Sequence, residues 1–149
     1  MQITNRLSEI FVSYSPRVKP SELPKITKSE EAMACFRQIW SDKMNYREEA
    51  YMLLLNRCNK VLGYSLLSVG GTSGTVVDIK VIYQTALKSN AHAIVIAHNH
   101  PSGNLKPSET DIRITKEIKE AGKLLGIQLL DHLILTDEGF YSFADEGMI

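Results

Sequence analysis

The sequence predicts a mixed α/β domain, a single sheet with helices packed on it. Three observations lead there: apolar residues recur at helical spacing in three segments, strand-length apolar runs lie between them, and turn residues separate the two kinds. At 149 residues the chain fits one domain, able to bury a core without disulfide or metal staples.

Along residues 1–27, "EIFVSY" alternates and reads as a short strand, after which Pro16, Pro20 and Pro24 remove amide donors and force an extended path. This is expected to be an arm that crosses the domain, pairs with another chain in a homodimer, or stays loose. The domain proper then spans residues 28–149. A first helix follows the arm, capped by Thr27 or Ser29, with Glu30 and Glu31 in its first turn and Ala32, Cys35, Phe36 and Ile39 as its stripe, ending near Trp40. "EEAYMLLLN" and "KVLGYSLLSV" read as two strands of a hairpin, and "GGTSG" at residues 70–74 breaks the pattern. A second helix over about residues 78–89 turns Ile79, Ile82, Tyr83 and Ala86 inward and takes Asp78 as its cap. "AHAIVIA" is a strand buried on both faces. After a polar loop, a third helix over about residues 109–124 carries Ile114, Ile118, Ala121 and Leu125 and stops at Gly126. "IQLLDHLILT" and "GFYSF" close the sheet around a turn at residues 137–139.

Composition narrows the function classes. Seventeen basic residues balance seventeen acidic ones, so the basic excess expected of a phosphate-neutralising protein is missing, although a local patch would not register in the sum. Cys35 and Cys58 are too few for a secreted disulfide scaffold and are expected to sit reduced in a core. No charged-then-apolar leader opens the chain, and "AIVIA" and "LLDHLIL" are too short to span a bilayer. The expectation is a soluble, cytoplasmic protein with no membrane partner.

The chemistry concentrates in "HNHPSGNLKPSETD". His98 and His100 lie two apart at the end of a buried strand, so both imidazoles share a face. Two adjacent imidazoles suit one cation better than a packed core, where each needs its own partners. Pro101 stops the strand there, which sets the pair at the sheet's edge facing the loop. Asp111, in the first turn of the next helix, can supply a third ligand. Two histidines and a carboxylate leave zinc one open position for water, whose pKa then falls to about 7. Magnesium would not call for two imidazoles, whereas iron in a two-histidine, one-carboxylate site is a chemical rival. The plainer readings are also specific. "SETD" satisfies a helix capping box through Ser108 and Asp111, and capping and ligation can share one turn. His92 reads as an ordinary satisfied histidine. Asp131 and His132, adjacent on a strand, point to opposite faces; they form a structural pair, or one of them supports the metal shell by hydrogen bonding.

The spacing His-x-His-x7-Ser-x-x-Asp resembles the JAMM motif of JAB/MPN metallopeptidases, and "HNHPSG", "LLDHLIL" and "YSFADEG" resemble the RadC family within that group. The likeness covers roughly residues 28–149, with the Pro-rich arm standing where longer members carry a helix-hairpin-helix region. It implies a cytidine-deaminase-like JAB/MPN fold, a mixed central sheet flanked by helices. It also implies zinc held by His98, His100 and Asp111, and hydrolysis of a peptide or isopeptide bond in a protein or peptide substrate. An upstream glutamate would be the general base and Ser108 the oxyanion donor. "REEAYMLLLN" offers Glu48 and Glu49; counting back from "LLLN" selects Glu48, with Glu49 as runner-up, and alternation lets only one face the metal. The loser is expected to be a solvated edge residue. Asn99 and Ser102 are expected to shape the loop, and Gly103 to allow its turn. Two rival functions stand beside this one: a metal-binding module without catalysis, and the DNA-repair association attached to the RadC name. The contiguous "HNH" letters are not an HNH nuclease motif, which spreads its residues over a ββα unit.

Overall fold

The computed structural model describes residues 7–70 and 76–149. Its elements run α1 (Ser29–Ile39), β1 (Glu49–Leu55), β2 (Val61–Val69), α2 (Ile79–Lys88), β3 (Ala93–Asn99), α3 (Glu109–Leu125), β4 (Gln128–Leu135) and β5 (Phe140–Ser142), after a short 3-10 turn at Pro20–Glu22. The five strands form one sheet in the order β2-β1-β3-β4-β5. All neighbours are antiparallel except β3 and β4, which run parallel and are joined by α3 as the crossover that parallel strands require.

Strand alternation divides the core in two. Tyr51, Leu53, Leu55, Val95 and Ala97 face α1 and its Phe36. Met52, Leu54, Ile94 and Ile96 face α2 and α3, where Ile82, Tyr83, Ala86 and Ile118 close over them. β1 and β3 are buried along their whole lengths because helices cover both faces, which explains their near-continuous apolar sequences. The side with two helices carries the chemistry, since His98 continues the series Ile94, Ile96. Among the described residues, no helix is long and apolar enough to cross a membrane.

The structure departs from expectation at several points. "EIFVSY" forms no strand: Ile10, Phe11 and Val12 are exposed, and the arm crosses the domain through the Tyr14 hydroxyl, which donates to the Leu62 carbonyl at 3.1 Å. Farther on, the Pro24 carbonyl accepts from the Val61 amide at 2.8 Å, and the Ile26 amide donates to the Asn59 carbonyl at 2.9 Å. Alternation supplies a face but not a ladder partner. Neither Thr27 nor Ser29 caps α1. Lys28 takes the N-cap position, and the Glu31 carboxylate accepts from the amide and hydroxyl of Thr27. Ser29 is occupied elsewhere, its hydroxyl donating to Asp145. The cysteines are both free, as expected, but Cys58 is exposed in the β1–β2 turn and Cys35 only half-buried. Leu125, the last residue of the α3 stripe, is exposed because Gly126 turns the chain there with φ +70°. Of the "GGTSG" breaker, residues 71–74 lie outside the described residues, as do residues 1–6 of the arm.

α3 lies close to the chain it leads into. The Tyr83 hydroxyl donates to the Ile118 carbonyl at 2.6 Å, and the Ile127 amide donates to the Gly122 carbonyl at 2.8 Å. A methyl group at Gly122 would fall well inside contact distance of the Ile127 carbonyl oxygen and the Tyr83 hydroxyl. Gly122→Ala should therefore lower unfolding free energy by about 3 kcal/mol in urea denaturation, the range of an overpacked core. An unchanged midpoint would mean that α3 is not held at this distance.

Candidate metal centre

Three segments converge at the C-terminal end of β3. His98 is the last inward residue of that strand on the α2/α3 side. His100 follows just beyond it, and its Nδ1 donates to the Asn104 carbonyl at 2.6 Å. The intervening turn closes with the Gly103 amide donating to the His100 carbonyl at 3.0 Å, at φ +82°, where glycine is favoured. The loop then delivers the N-terminus of α3. There Ser108 Oγ accepts from the Asp111 amide at 3.0 Å while Asp111 Oδ2 accepts from the Ser108 amide at 2.8 Å, a reciprocal capping box. The third segment is Glu48, immediately before β1, whose carbonyl accepts from the Gly70 amide. The histidines are at the end of a central strand with neighbours on both sides, not at an edge of the sheet.

His98 Nε2 and His100 Nε2 stand 3.0 Å apart. Asp111 places Oδ1 at 3.3 Å from the first and Oδ2 at 3.4 Å from the second. A tetrahedral zinc with ligands at about 2.0–2.1 Å sets them about 3.3 Å from one another, and these separations are of that size, with a different Asp111 oxygen against each histidine. Glu48 Oε1 lies farther out, at 4.0 Å from His100 Nε2. Glu48, His98 and His100 also present ligand atoms within 4.8 Å of one another, giving a second, looser triad on the same histidine pair. Two imidazoles with carboxylates suit zinc or iron and do not suit magnesium or calcium.

The electrostatics favour a cation. Burial raises the Asp111 carboxyl's pKa, but hydrogen bonds from His100 and His98 outweigh that and hold it well below the usual carboxylate range. The position at a helix N-terminus acts in the same direction. The hydrogen bond to Asp111 raises the His100 pKa against the opposing effect of burial. A cleft of about 440 Å³ opens onto the group, with Val76, Val77, Ile96 and Ile114 as apolar walls and Arg113 among its lining residues.

Alternation separates the two glutamates. Glu48 lines the cleft, whereas Glu49 turns to the other face. Glu49 is not the solvated edge residue expected of it: it is 1% exposed, accepting from Arg47 Nε at 3.1 Å and from the Ser41 hydroxyl at 2.8 Å. Asn99 is likewise more than a loop-shaping residue. Fully buried, it accepts from the Glu49 amide at 2.7 Å and donates to the carbonyls of Met44 and Arg47 at 2.8 Å each. Those three bonds fix the segment that presents Glu48. Ser102 accepts a hydrogen bond from the Asn104 amide within the loop, and His92 is an exposed residue ahead of β3.

Asp131 and His132 point to opposite faces. Asp131 accepts from the Ser142 hydroxyl and the Ala144 amide on the α1 side. His132 lies behind His98, its Nε2 at 2.8 Å from His98 Nδ1, with its ring stacked on Phe143. Burial, and secondarily the neighbouring His98, push its pKa well below the ordinary histidine value. Thr115, which sequence reasoning missed, completes the group with Oγ1 at 2.6 Å from His132 Nδ1. Its one sequence signal is position: it lies one helical turn after Asp111.

A family model described as a RadC-like JAB domain matches residues 26–148. Among curated relatives, a UPF0758 protein of Flavobacterium johnsoniae is 43% identical over 127 residues, covering 85% of this chain and 55% of the relative. One of Porphyromonas gingivalis is 42% identical over 139 residues, covering 91% and 60%. One of Clostridium acetobutylicum is 36% identical over 144 residues, covering 96% and 61%. The chain thus spans little more than half the length of these relatives.

Asn99→Ala would strip partners from one buried amide and two carbonyls. Each such group costs about 1–3 kcal/mol, so a loss of about 3 kcal/mol or more is expected in chemical denaturation. A loss under about 1 kcal/mol would mean that water replaces the side chain and that the Glu48 segment is held by other means.

Proposed function

The chain belongs to the RadC-like JAB domain family, and on that premise we propose that it is a zinc-dependent hydrolase of peptide or isopeptide bonds. The observation that carries this reading is the convergence of His98 Nε2 and His100 Nε2, 3.0 Å apart, on the Asp111 carboxylate, with Oδ1 at 3.3 Å from the first, Oδ2 at 3.4 Å from the second, and Glu48 Oε1 4.0 Å from His100 Nε2. His98, His100 and Asp111 suit a shared coordination shell, and Glu48, lining the same cleft, is the carboxylate within reach of a water held there.

In this reading His98, His100 and Asp111 hold the zinc. Bound there, zinc polarises a carbonyl and lowers the pKa of water to about 7. Glu48 takes the proton of the attacking water on its carboxylate and returns it to the leaving amine. Ser108 uses a lone pair to accept from the Asp111 amide, so its hydroxyl proton stays available to the carbonyl oxygen as negative charge develops. Val76, Val77, Ile96 and Ile114 give the cleft apolar walls that limit water around the scissile bond. A protein or peptide is the substrate class. Two free cysteines favour a cytoplasmic protein. The exposed Ile10, Phe11 and Val12 of the arm are the surface we assign to self-association.

Protein refolded with excess zinc should retain about one ion per chain by elemental analysis, and His98→Ala should lose it. Glu48→Gln should keep the ion and lose cleavage of a peptide or isopeptide library. Undiminished cleavage by Glu48→Gln would remove the mechanism. Zinc affinity should also fall with pH. His100 must shed its proton to ligate, and the hydrogen bond to Asp111 raises its pKa in the metal-free protein, so protons compete for the site increasingly as pH drops. Affinity that stays flat from pH 8 to pH 5 would exclude His100 as a ligand.

A further inference from the structure

His132 is a buried titratable group beside the cluster that the proposed mechanism leaves unused, and the hydrogen bonds around it have a single consistent direction. Thr115 Oγ1 lies 2.6 Å from the Asp111 carbonyl and 2.6 Å from His132 Nδ1. A carbonyl oxygen can only accept, so the one hydroxyl proton of Thr115 goes to Asp111. Thr115 Oγ1 must then accept, which puts a proton on His132 Nδ1. His132 is 3% exposed and stacks on Phe143 with the rings 10° from parallel. Among the described residues, its hydrogen-bond partners are His98 and Thr115 and include no carboxylate. The ring is therefore neutral, and its Nε2 carries a lone pair. That lone pair, 2.8 Å from His98 Nδ1, requires the proton to sit on His98 Nδ1. His98 Nε2 is left as a bare donor facing His100 and Asp111.

We propose that Thr115 and His132 are positioning residues, a two-member relay that locks His98 in its Nδ1-protonated form and so sets how tightly the cluster takes up zinc. The proposal rests on the reading of His98 as a zinc ligand. The relay starts from the backbone of Asp111, so the same turn of α3 supplies one ligand and fixes the tautomer of another. His100 reaches the same state by a shorter route, through the Asn104 carbonyl.

The test has two arms on the full chain. In metal-free wild-type protein, nitrogen-15 NMR of the imidazoles should show His98 and His132 both as neutral Nδ1-protonated rings. Zinc affinity, read by competition with a chelator, should fall about 10–100-fold in His132→Leu and in Thr115→Val, the range for lost outer partners of a metal ligand. It should return to within a few-fold of wild type in Thr115→Ser, which restores the hydroxyl, and partly in His132→Gln, whose amide oxygen can accept from His98. Circular dichroism melting separates unfolding from a weakened site. An Nε2-protonated His98 in wild type overturns the inference, as does Thr115→Ser binding zinc no better than Thr115→Val. If wild-type protein takes up no zinc at all, the proposed function fails, while the tautomer measurement still decides the relay.

Discussion

Two imidazole nitrogens face each other at 3.0 Å with a carboxylate 3.3–3.4 Å from both, and with both Nδ1 atoms protonated, as inferred above, their lone pairs repel unless positive charge enters among them. That is the constraint on which the rest of the structure depends. Each neighbour is arranged to keep the lone pairs aimed inward. The Asn104 carbonyl holds the far side of His100, His132 holds the far side of His98, and the capping box pins Asp111 at the start of α3. A proton can relieve the repulsion, and the hydrogen bond to Asp111 raises the His100 pKa in that direction. A divalent cation relieves it more fully and satisfies all three donors at once.

The sheet supplies this arrangement by separating tasks between its faces. The α1 side is packing, plus two buried carboxylates, Glu49 bonded to Arg47 and Ser41, and Asp131 bonded to Ser142 and Ala144. The side covered by α2 and α3 continues an aliphatic series along β3 until His98 replaces the next branched residue. Parallel pairing of β3 with β4 brings His132 alongside, because Ile96 and His132 are partners in the ladder. The crossover between those strands is α3, so the helix required to connect parallel strands also delivers Ser108, Asp111 and Thr115. Asn99 joins the two faces by clamping the segment before β1, where consecutive glutamates take opposite roles.

Much of this was legible in the residues because it depends on local periodicity. Spacing of two in a strand puts His98 and His100 on one side, and the same period sorts Glu48 from Glu49. The three helices and five strands of the domain follow from apolar repeats, and Gly126 and Asp78 mark helix ends as their chemistry predicts. What was not legible depends on partners distant in sequence. The alternation of "EIFVSY" was real but had no ladder to join. Ser29 looked like a cap until Asp145, from the far end of the chain, engaged its hydroxyl. Glu49 looked solvated because nothing local reveals that Ser41 and Arg47 fold over it. Thr115 is an unremarkable helix residue in sequence and acquires a role only when β4 sets His132 against it.

The most direct measurement is anomalous diffraction at the zinc edge from crystals grown with ample zinc. The account predicts one strong peak per chain, bonded to His98 Nε2, His100 Nε2 and an Asp111 oxygen, with Glu48 one solvent molecule away. No peak between these side chains, or a peak bonded to Glu48 with Asp111 turned aside, would contradict it.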